Sequence, residues 1–403
     1  MADQIGIKAS FMRGGTSKGL FFRWEDLPED TNERDAFLCG AIGSPDPNGR
    51  QLDGMGGGVS SLSKAMMVRR SEREGIDIDY LFAQVEIGAA RVDYGGNCGN
   101  LSAAVGAFAV DQGLVQAPDG ELTIRMFNEN TLKQINCTLT VREGRAAVAG
   151  EGAIAGVAGQ GSAIRLDFLE PGGTRTGRLM SGDPRYDVEL HDGLELSPSF
   201  VDAGNPCVFV DARDLGLTAT ELPGDIALRE NVLEALEAIR RGTGHVVGIA
   251  DSPEEVPASV PKVALVGPCA RSMTLSEETI QTSDCDVQVR MISMTQPHLA
   301  IPLTGAMCTA VAARIPGTVV ADVARPVAPG KPLRIGTASG VVEAFSEVET
   351  DENDQYQAIS ASVYRTARLL MEGTVYAPLA PSLTLPYEGG GDSVAPTLEV
   401  SDD

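Results

Sequence analysis

Two residues in this sequence have the chemistry to move protons. Lys64 follows a polar segment at residues 60–63 and precedes the apolar run at 65–68. A lysine that is partly removed from water in a cleft can act as a general base, although most lysines are solvated. Cys98 directly precedes a helical pattern, where the helix dipole favours an anionic, reactive sulfur. A buried cysteine beside a glycine is also typical of a structural residue, so both interpretations of Cys98 stay open.

A glycine-rich segment at residues 13–19 reads Arg-Gly-Gly-Thr-Ser-Lys-Gly. It is not a nucleotide phosphate loop, because that motif places the lysine after its last glycine and a hydroxyl residue after the lysine. Arg13, Thr16, Ser17 and Lys18 would still suit a cradle for a carboxylate. The same composition is equally compatible with an ordinary structural turn.

The histidines argue against a metal centre. His191, His245 and His298 have no paired spacing, which makes a zinc or iron site improbable. His298 lies just before a helical pattern and could cap a turn or belong to a site. Asn205, in Gly-Asn-Pro, is a good turn residue whose amide could also orient a carboxylate.

Two helical segments, 101–110 and 304–315, must position these residues. Both consist of small and apolar side chains on nearly every face, which predicts helices that are buried all round. They lie roughly 200 residues apart, which suggests a weak internal duplication with one buried helix wrapped by strands in each half. The first turn of the first helix would open beneath Cys98.

Other elements are read from periodicity and turn residues. Strands are predicted at 5–11, 20–23 and 80–87, with a break at 13–19 and a loop at 54–63 leading into 64–69. Thr31 is the expected N-cap of a following helix. An amphipathic, peripheral helix is predicted at 229–241, ending at Gly242. The acidic, glycine-rich tail from residue 388 is expected to be disordered.

Length and composition favour two domains and an α+β class. A chain of 403 residues fits two domains of about 200 residues each. The 46 glycines and 23 prolines, against 11 Phe and 7 Tyr, indicate many turns and short strands. The net charge of −24 argues against nucleic acid or an anionic membrane as a partner. An anionic substrate would therefore need local positive charge and aimed N–H groups.

The spacing of the cysteines and the hydropathy of the sequence indicate the cellular compartment of the protein. The seven cysteines are scattered singly without a CxxC pair, which favours a reduced, cytoplasmic setting. No segment has the length and apolarity of a signal sequence or a bilayer span.

Several motifs together resemble the 2-methylaconitate cis-trans isomerase (PrpF) family, which includes 3-methylitaconate Δ-isomerases and 4-oxalomesaconate tautomerases. The similarity extends from the N-terminus to about residue 375. It rests on MRGGTSKG at 12–19, GSPDP at 43–47, DGMGG at 53–57, SK at 63–64, NCGN at 97–100, IPGT at 315–318 and MEG at 371–373.

The resemblance implies the diaminopimelate epimerase-like fold, an α+β architecture of two pseudo-symmetric halves, each with a sheet rolled around a central buried helix. The halves are expected at 1–190, with a central helix at about 100–111, and at 191–385, with a central helix at about 305–315. A disordered tail at 386–403 follows. The second helix begins without a cysteine, so the two-thiol pair of the epimerases is absent.

The resemblance also implies a cofactor-independent isomerase of a small unsaturated di- or tricarboxylate, with Lys64 and Cys98 as catalytic residues. The expected partner is a small anionic carboxylate, with no metal, nucleic acid or membrane, and a homodimer is possible. The residues expected to bind substrate are Arg13, Thr16, Ser17, Lys18, Asn97, Gly99, Asn100, Asn205, His298, Thr304, Gly305 and Ala306. Two alternatives stay open: an amino-acid racemase or epimerase of the same fold, and a noncatalytic accessory protein to an aconitase-like enzyme.

Overall fold

The computed structural model describes residues 3–190, 193, 195–257, 260–293 and 296–378. The tail predicted at 386–403 and His191 lie outside the described residues. Among the helices in these ranges, none combines the length and the hydrophobicity of a membrane-spanning segment.

The first half of the chain is rich in strands, with two helices. Its elements are β1 (Gln4–Gly14), β2 (Ser17–Arg23), α1 (Thr31–Ile42), β3 (Lys64–Arg70), β4 (Ile78–Val85), β5 (Val92–Asp93), α2 (Gly99–Asp111), β6 (Gly120–Asn128), β7 (Lys133–Arg142), β8 (Arg145–Ala146), β9 (Ile164–Leu169) and β10 (Val188–Glu189).

The second half repeats this plan with more helices. Its elements are β11 (Glu195–Leu196), β12 (Ser199–Ala203), β13 (Asn205–Asp211), α3 (Pro223–Ala227), α4 (Glu230–Val246), β14 (Lys262–Pro268), β15 (Ser272–Met273), β16 (Thr279–Ile280), β17 (Val287–Ser293), β18 (Gln296–Pro297), α5 (Leu303–Ala312), α6 (Val319–Val323), β19 (Leu333–Thr337), β20 (Gly340–Thr350), β21 (Tyr356–Arg365) and β22 (Ala367–Pro378).

One continuous sheet wraps both buried helices. In the first half the strand order is β1-β2-β3-β4-β6-β7-β9, and in the second it is β12-β13-β14-β17-β19-β20-β21. β21 pairs with β9 and β22 pairs with β1, so these two consecutive strands extend both edges of the first sheet, which surrounds α2. The division of the chain at residue 190 remains a prediction, since the final strands join the two halves.

The helices α2 and α5 lie in one apolar core that runs through both halves. Every residue of α5 is buried, as is all of α2 except Asn100 and Asp111. Small side chains let the strands approach closely. A Cβ on Gly106 of α2 would lie 2.5 Å from Cys137 Sγ on β7. The prediction of two helices buried on all sides is confirmed.

Several predicted boundaries change. β1 and β2 extend into residues 13–19, leaving only Gly15 and Thr16 as the turn, because Gly15 takes a positive φ of 50°. Asp30, and not Thr31, caps α1, since its carboxylate accepts from the N–H groups of the first turn. α5 ends at Ala312, three residues before the predicted end at 315.

The predicted stop of the peripheral helix at Gly242 is wrong. α4 continues to Val246, and its apolar face packs on β13 and β14. Gly244 is required there for close packing, because a Cβ at this position would lie 2.6 Å from Val256 Cγ1. Gly242 itself lies inside the helix, where a Cβ would meet no atom within 4 Å, so this glycine marks neither the helix end nor a close contact.

The expectation of fully reduced cysteines fails at one pair. Cys269 and Cys285 are joined by a disulfide, with their Cα atoms 5.8 Å apart. The other five cysteines are free and buried.

The glycines of two helices give a matched test of core packing. Gly106→Ala should lower the free energy of unfolding by about 1–3 kcal/mol, because the added methyl group meets Cys137 in a filled core. Gly242→Ala, where a Cβ meets no atom within 4 Å, should raise it by about 0.5–1 kcal/mol through helix propensity. Urea unfolding of both variants measures the difference. Equal or greater stability of Gly106→Ala would show that α2 is not tightly enclosed.

Candidate active site

The amino ends of α2 and α5 meet head to head. A Cβ on Gly99, the first residue of α2, would lie 2.7 Å from Leu303 Cδ2, and Leu303 is the first residue of α5. The first N–H groups of a helix have no partner within it, and the helix dipole makes this end positive. Two such ends facing one another form a place that favours an anion.

In the first half, Cys98 and Lys64 both lie beside strand β2. Cys98 is the N-cap residue of α2, and its Sγ lies 3.8 Å from Ser17 Oγ at the start of β2. Lys64 is the first residue of β3 and lies beside Gly19, two residues further along β2. Ser17 and Gly19 point to the same face of β2, because side chains alternate along a strand. The structure therefore brings the two predicted catalytic residues to one face.

Lys64 is held in a defined direction. The residue is 9% exposed, and Nζ donates a 2.6 Å hydrogen bond to Gln84 Oε1 on the neighbouring strand β4. Gln84 Nε2 in turn donates to the carbonyl of Ser63. The Nζ atom also lies 4.8 Å from the centroid of the Phe82 ring. Gln84 and Phe82 were missed by the sequence reasoning, since only strand pairing places them beside Lys64.

Two hydrogen-bond networks brace the start of α2. Asn97 Oδ1 accepts from Asn128 Nδ2 at 2.9 Å, and Ser102 bonds to Tyr80. The side chain of Asn100 donates to Thr16 Oγ1 at 3.1 Å.

Arg365 completes the second of these networks. Its Nε donates to Asn100 Oδ1 at 3.1 Å, and burial lowers the pKa of this guanidinium to about 10. Thr16 and Arg365 line a neighbouring cavity of about 280 Å³ with Ile301. Arg365 is a further residue that the sequence reasoning did not single out.

Arg13 and Lys18 are directed away from Cys98. They face one another across the β1–β2 pairing, on the side opposite to Ser17. The Arg13 guanidinium donates to the carbonyls of Gly15 and Thr366 and to Thr366 Oγ1. Arg13 thus ties the hairpin to the junction of β21 and β22, and the structure does not bring it or Lys18 beside Cys98.

In the second half, the predicted residues lie around the start of α5. Thr304 and Gly305 belong to its first turn, and a Cβ on Gly204 would lie 3.9 Å from Thr304 Cβ. The N–H of Ala306 already donates to the Pro302 carbonyl, because α5 begins at Leu303. The N–H groups left open by this helix are therefore those of residues 303–305, one position earlier than the sequence indicated.

Asn205 and His298 each carry a buried polar atom without a hydrogen-bond partner among the described residues. These atoms are Asn205 Oδ1 and His298 Nε2. Burial lowers the pKa of His298 to about 4, and the positive charge of Lys262 contributes. Lys262, the first residue of β14, was not singled out from the sequence. The signal was present, because Lys262 precedes an apolar run, VALV, as Lys64 precedes AMMV.

These features define an epimerase-type fold with a candidate site in which Cys98 and Lys64 lie near the meeting ends of two buried helices. The chain matches the PrpF protein family over residues 4–378, and it belongs to that family. The predicted family, fold and isomerase class are confirmed.

Relatives with named activities align along nearly the whole chain. The chain is 37% identical to the 2-methyl-aconitate isomerase of Shewanella oneidensis, covering 93% of this chain and 98% of that protein. It is 37% identical to the 3-methylitaconate isomerase of Eubacterium barkeri, with the same coverage of both chains. It is 38% identical to the (4E)-oxalomesaconate Delta-isomerase of a Novosphingobium species, covering 91% and 96%.

Solved structures agree with the architecture. A methylitaconate-delta-isomerase superposes with a TM-score of 0.84 at 35% identity, covering 96% of this chain and all of that one. A hydroxyproline epimerase from Agrobacterium vitis superposes with a TM-score of 0.56 at 12% identity, covering 94% of each chain, which shows the shared fold alone.

The neutrality of His298 can be measured. Between the ordinary histidine pKa of about 6.5 and the value of about 4 in the folded protein, the unfolded chain binds a proton that the folded chain does not. The free energy of unfolding should therefore rise with pH across this window, and less so in His298→Gln. NMR titration of the imidazole signals, assigned with this variant, should show no protonation of His298 above about pH 5. A midpoint near the ordinary value would contradict the burial.

Proposed function

We propose that this protein is a cofactor-independent isomerase of a small unsaturated di- or tricarboxylate, of the type of aconitate, 2-methylaconitate, methylitaconate or 4-oxalomesaconate. One observation carries the proposal: Lys64 and Cys98 both lie beside the same face of β2, at the amino end of the buried helix α2, and that end meets the amino end of α5. The activities named for the relatives support the choice of substrate class.

The reaction is a 1,3 proton shift. Lys64, as the neutral amine, removes a proton from the carbon that flanks the double bond. The C–H bonding pair moves into the conjugated system, giving a dienolate whose negative charge extends into a carboxylate. The ammonium then returns the proton to the far carbon, so the double bond has moved and no atom is gained or lost. Cys98 is the alternative acid or base.

The helix ends stabilise the charge that develops in this step. The N–H groups of Gly99 and Asn100 on one side, and of Thr304 and Gly305 on the other, are fixed by the buried helices before substrate arrives. Donors fixed in advance stabilise an enolate without having to reorganise. They also compensate for the repulsion between an anionic substrate and a chain with a net charge of −24.

Two properties complete the proposal. We place the protein in the cytoplasm, with small carboxylates as its partners and neither nucleic acid nor membrane among them. Self-association as a homodimer stays a prediction, which sedimentation of the purified protein would test.

Lys64→Met should reduce isomerisation by about 10²–10⁴-fold, because the variant has no group at that position to carry the proton. The assay is proton NMR of the four acids in deuterated buffer, which reports both new alkene signals and deuterium incorporation. Lys8→Met, at an exposed position of β1, is the control and should retain full activity. If Lys64→Met keeps its rate while Cys98→Ser loses it, the base has been assigned to the wrong residue.

The same assay separates the alternatives. Deuterium exchange at the Cα of an amino acid would identify a racemase. Failure to alter the ultraviolet absorbance of any unsaturated acid, while binding it, would favour an accessory protein. The start of α5 argues against the racemase, because Thr304 and Gly305 occupy the first turn and no second thiol is available at this helix end.

A further inference from the structure

Lys262 occupies the position in the second half that Lys64 occupies in the first. Each lysine begins a strand that runs parallel to the second strand of a hairpin. Lys64 lies beside Gly19, the third residue of β2, and Lys262 pairs with Cys207, the third residue of β13. The two lysines are therefore structural counterparts in the two halves.

The surroundings of Lys262 belong to the same site. Burial lowers the pKa of Lys262, the charge of Lys64 lowers it further, and Cys207 acts in the opposite direction. Lys262 in turn contributes to the lowered pKa of His298. The strand pairing agrees, because the His298 N–H donates to the Met291 carbonyl on β17, and Met291 pairs with Ala264, two residues after Lys262 on β14. Among the described residues, the titratable groups that interact electrostatically with Lys262 are Lys64 on β3, Cys207 on β13 and His298 after β18.

Two polar side chains next to Lys262 suit a carboxylate. Asn205 lies two residues before Cys207 on β13, on the same face, and its buried Oδ1 has no partner among the described residues. Because the oxygen and nitrogen of an amide are interchangeable in shape, a rotated Asn205 would present two N–H donors. His298 Nε2, equally buried and without a described partner, is a second donor in the appropriate tautomer.

We propose that Lys262, together with Asn205 and His298, binds a second carboxylate of the substrate, so that the site selects acids with at least two carboxylates. The inference rests on the proposed function and deepens it by naming the group that recognises the remote end. Two lysines in one partly buried site repel each other, and an anion bound there offsets that cost. Binding should then be coupled to proton uptake, because the carboxylate favours the ammonium form of Lys262.

The first test compares succinate with butyrate, which lacks one carboxylate, as competitive inhibitors. The wild-type protein should bind succinate about 10–100-fold more tightly, the range for a charge-assisted hydrogen bond. In Lys262→Met the ratio of the two affinities should approach one, while the affinity for butyrate stays unchanged. Lys262→Arg should restore most of the preference for succinate. KM for the substrate should rise by a similar factor while kcat changes by less than about threefold. The proposal would be overturned if Lys262→Met still preferred succinate to butyrate, or if this variant lowered kcat and left KM unchanged.

The second test counts protons and needs no variant that might fail to fold. Calorimetry of succinate binding to the wild-type protein in phosphate and in Tris should reveal net proton uptake at alkaline pH. Affinity should fall as pH rises through the pKa that Lys262 has before succinate binds. Absence of uptake between neutral pH and about pH 10 would contradict the role of Lys262. These measurements need no turnover. A protein that binds succinate in this way but isomerises none of the acids would refute the proposed reaction and leave the role of Lys262 standing.

Discussion

The contact between the buried amino ends of α2 and α5 is the constraint on which the rest of this structure depends. Each end carries roughly half a positive charge, and neither can be fully hydrated where Gly99 packs against Leu303. Like partial charges at such a short separation are unfavourable unless an anion or aimed polar groups lie between them. A side chain at position 99 would displace Leu303, because its Cβ would lie 2.7 Å from Leu303 Cδ2.

The strands and their side chains hold these helix ends in place. The turn between β1 and β2 lies against α2 so closely that a Cβ on Gly14 would be 2.5 Å from the Asn100 carbonyl oxygen. Arg365, at the end of β21, bonds to the side chain of Asn100, and Arg13 bonds to the next residue, Thr366. The junction of the last two strands therefore fixes both the hairpin and the first turn of α2. A segment more than 350 residues from the N-terminus thus completes the site of the first half.

Much of this arrangement could be predicted from the sequence because it depends on local pattern. Helices without a polar face have to be buried, and that alone locates α2 and α5. Cys98 at a helix start is likewise a local feature. The contacts that could not be predicted depend on the pairing of strands that are distant in sequence. Gln84 beside Lys64 and the rotation of Lys18 away from Ser17 follow from strand register.

The two halves share an arrangement of strands around a buried helix but differ in chemistry. Both halves place a lysine beside the third residue of a hairpin strand, but the neighbours differ: Lys64 is directed by Gln84, whereas Lys262 lies near Cys207 and His298. A thiol stands at the start of α2 and none at the start of α5. A pair of equivalent acid and base groups would suit a reaction whose two faces are alike. Different side chains in the two halves suit a substrate whose ends differ. One half can then hold a carboxylate while the other transfers the proton.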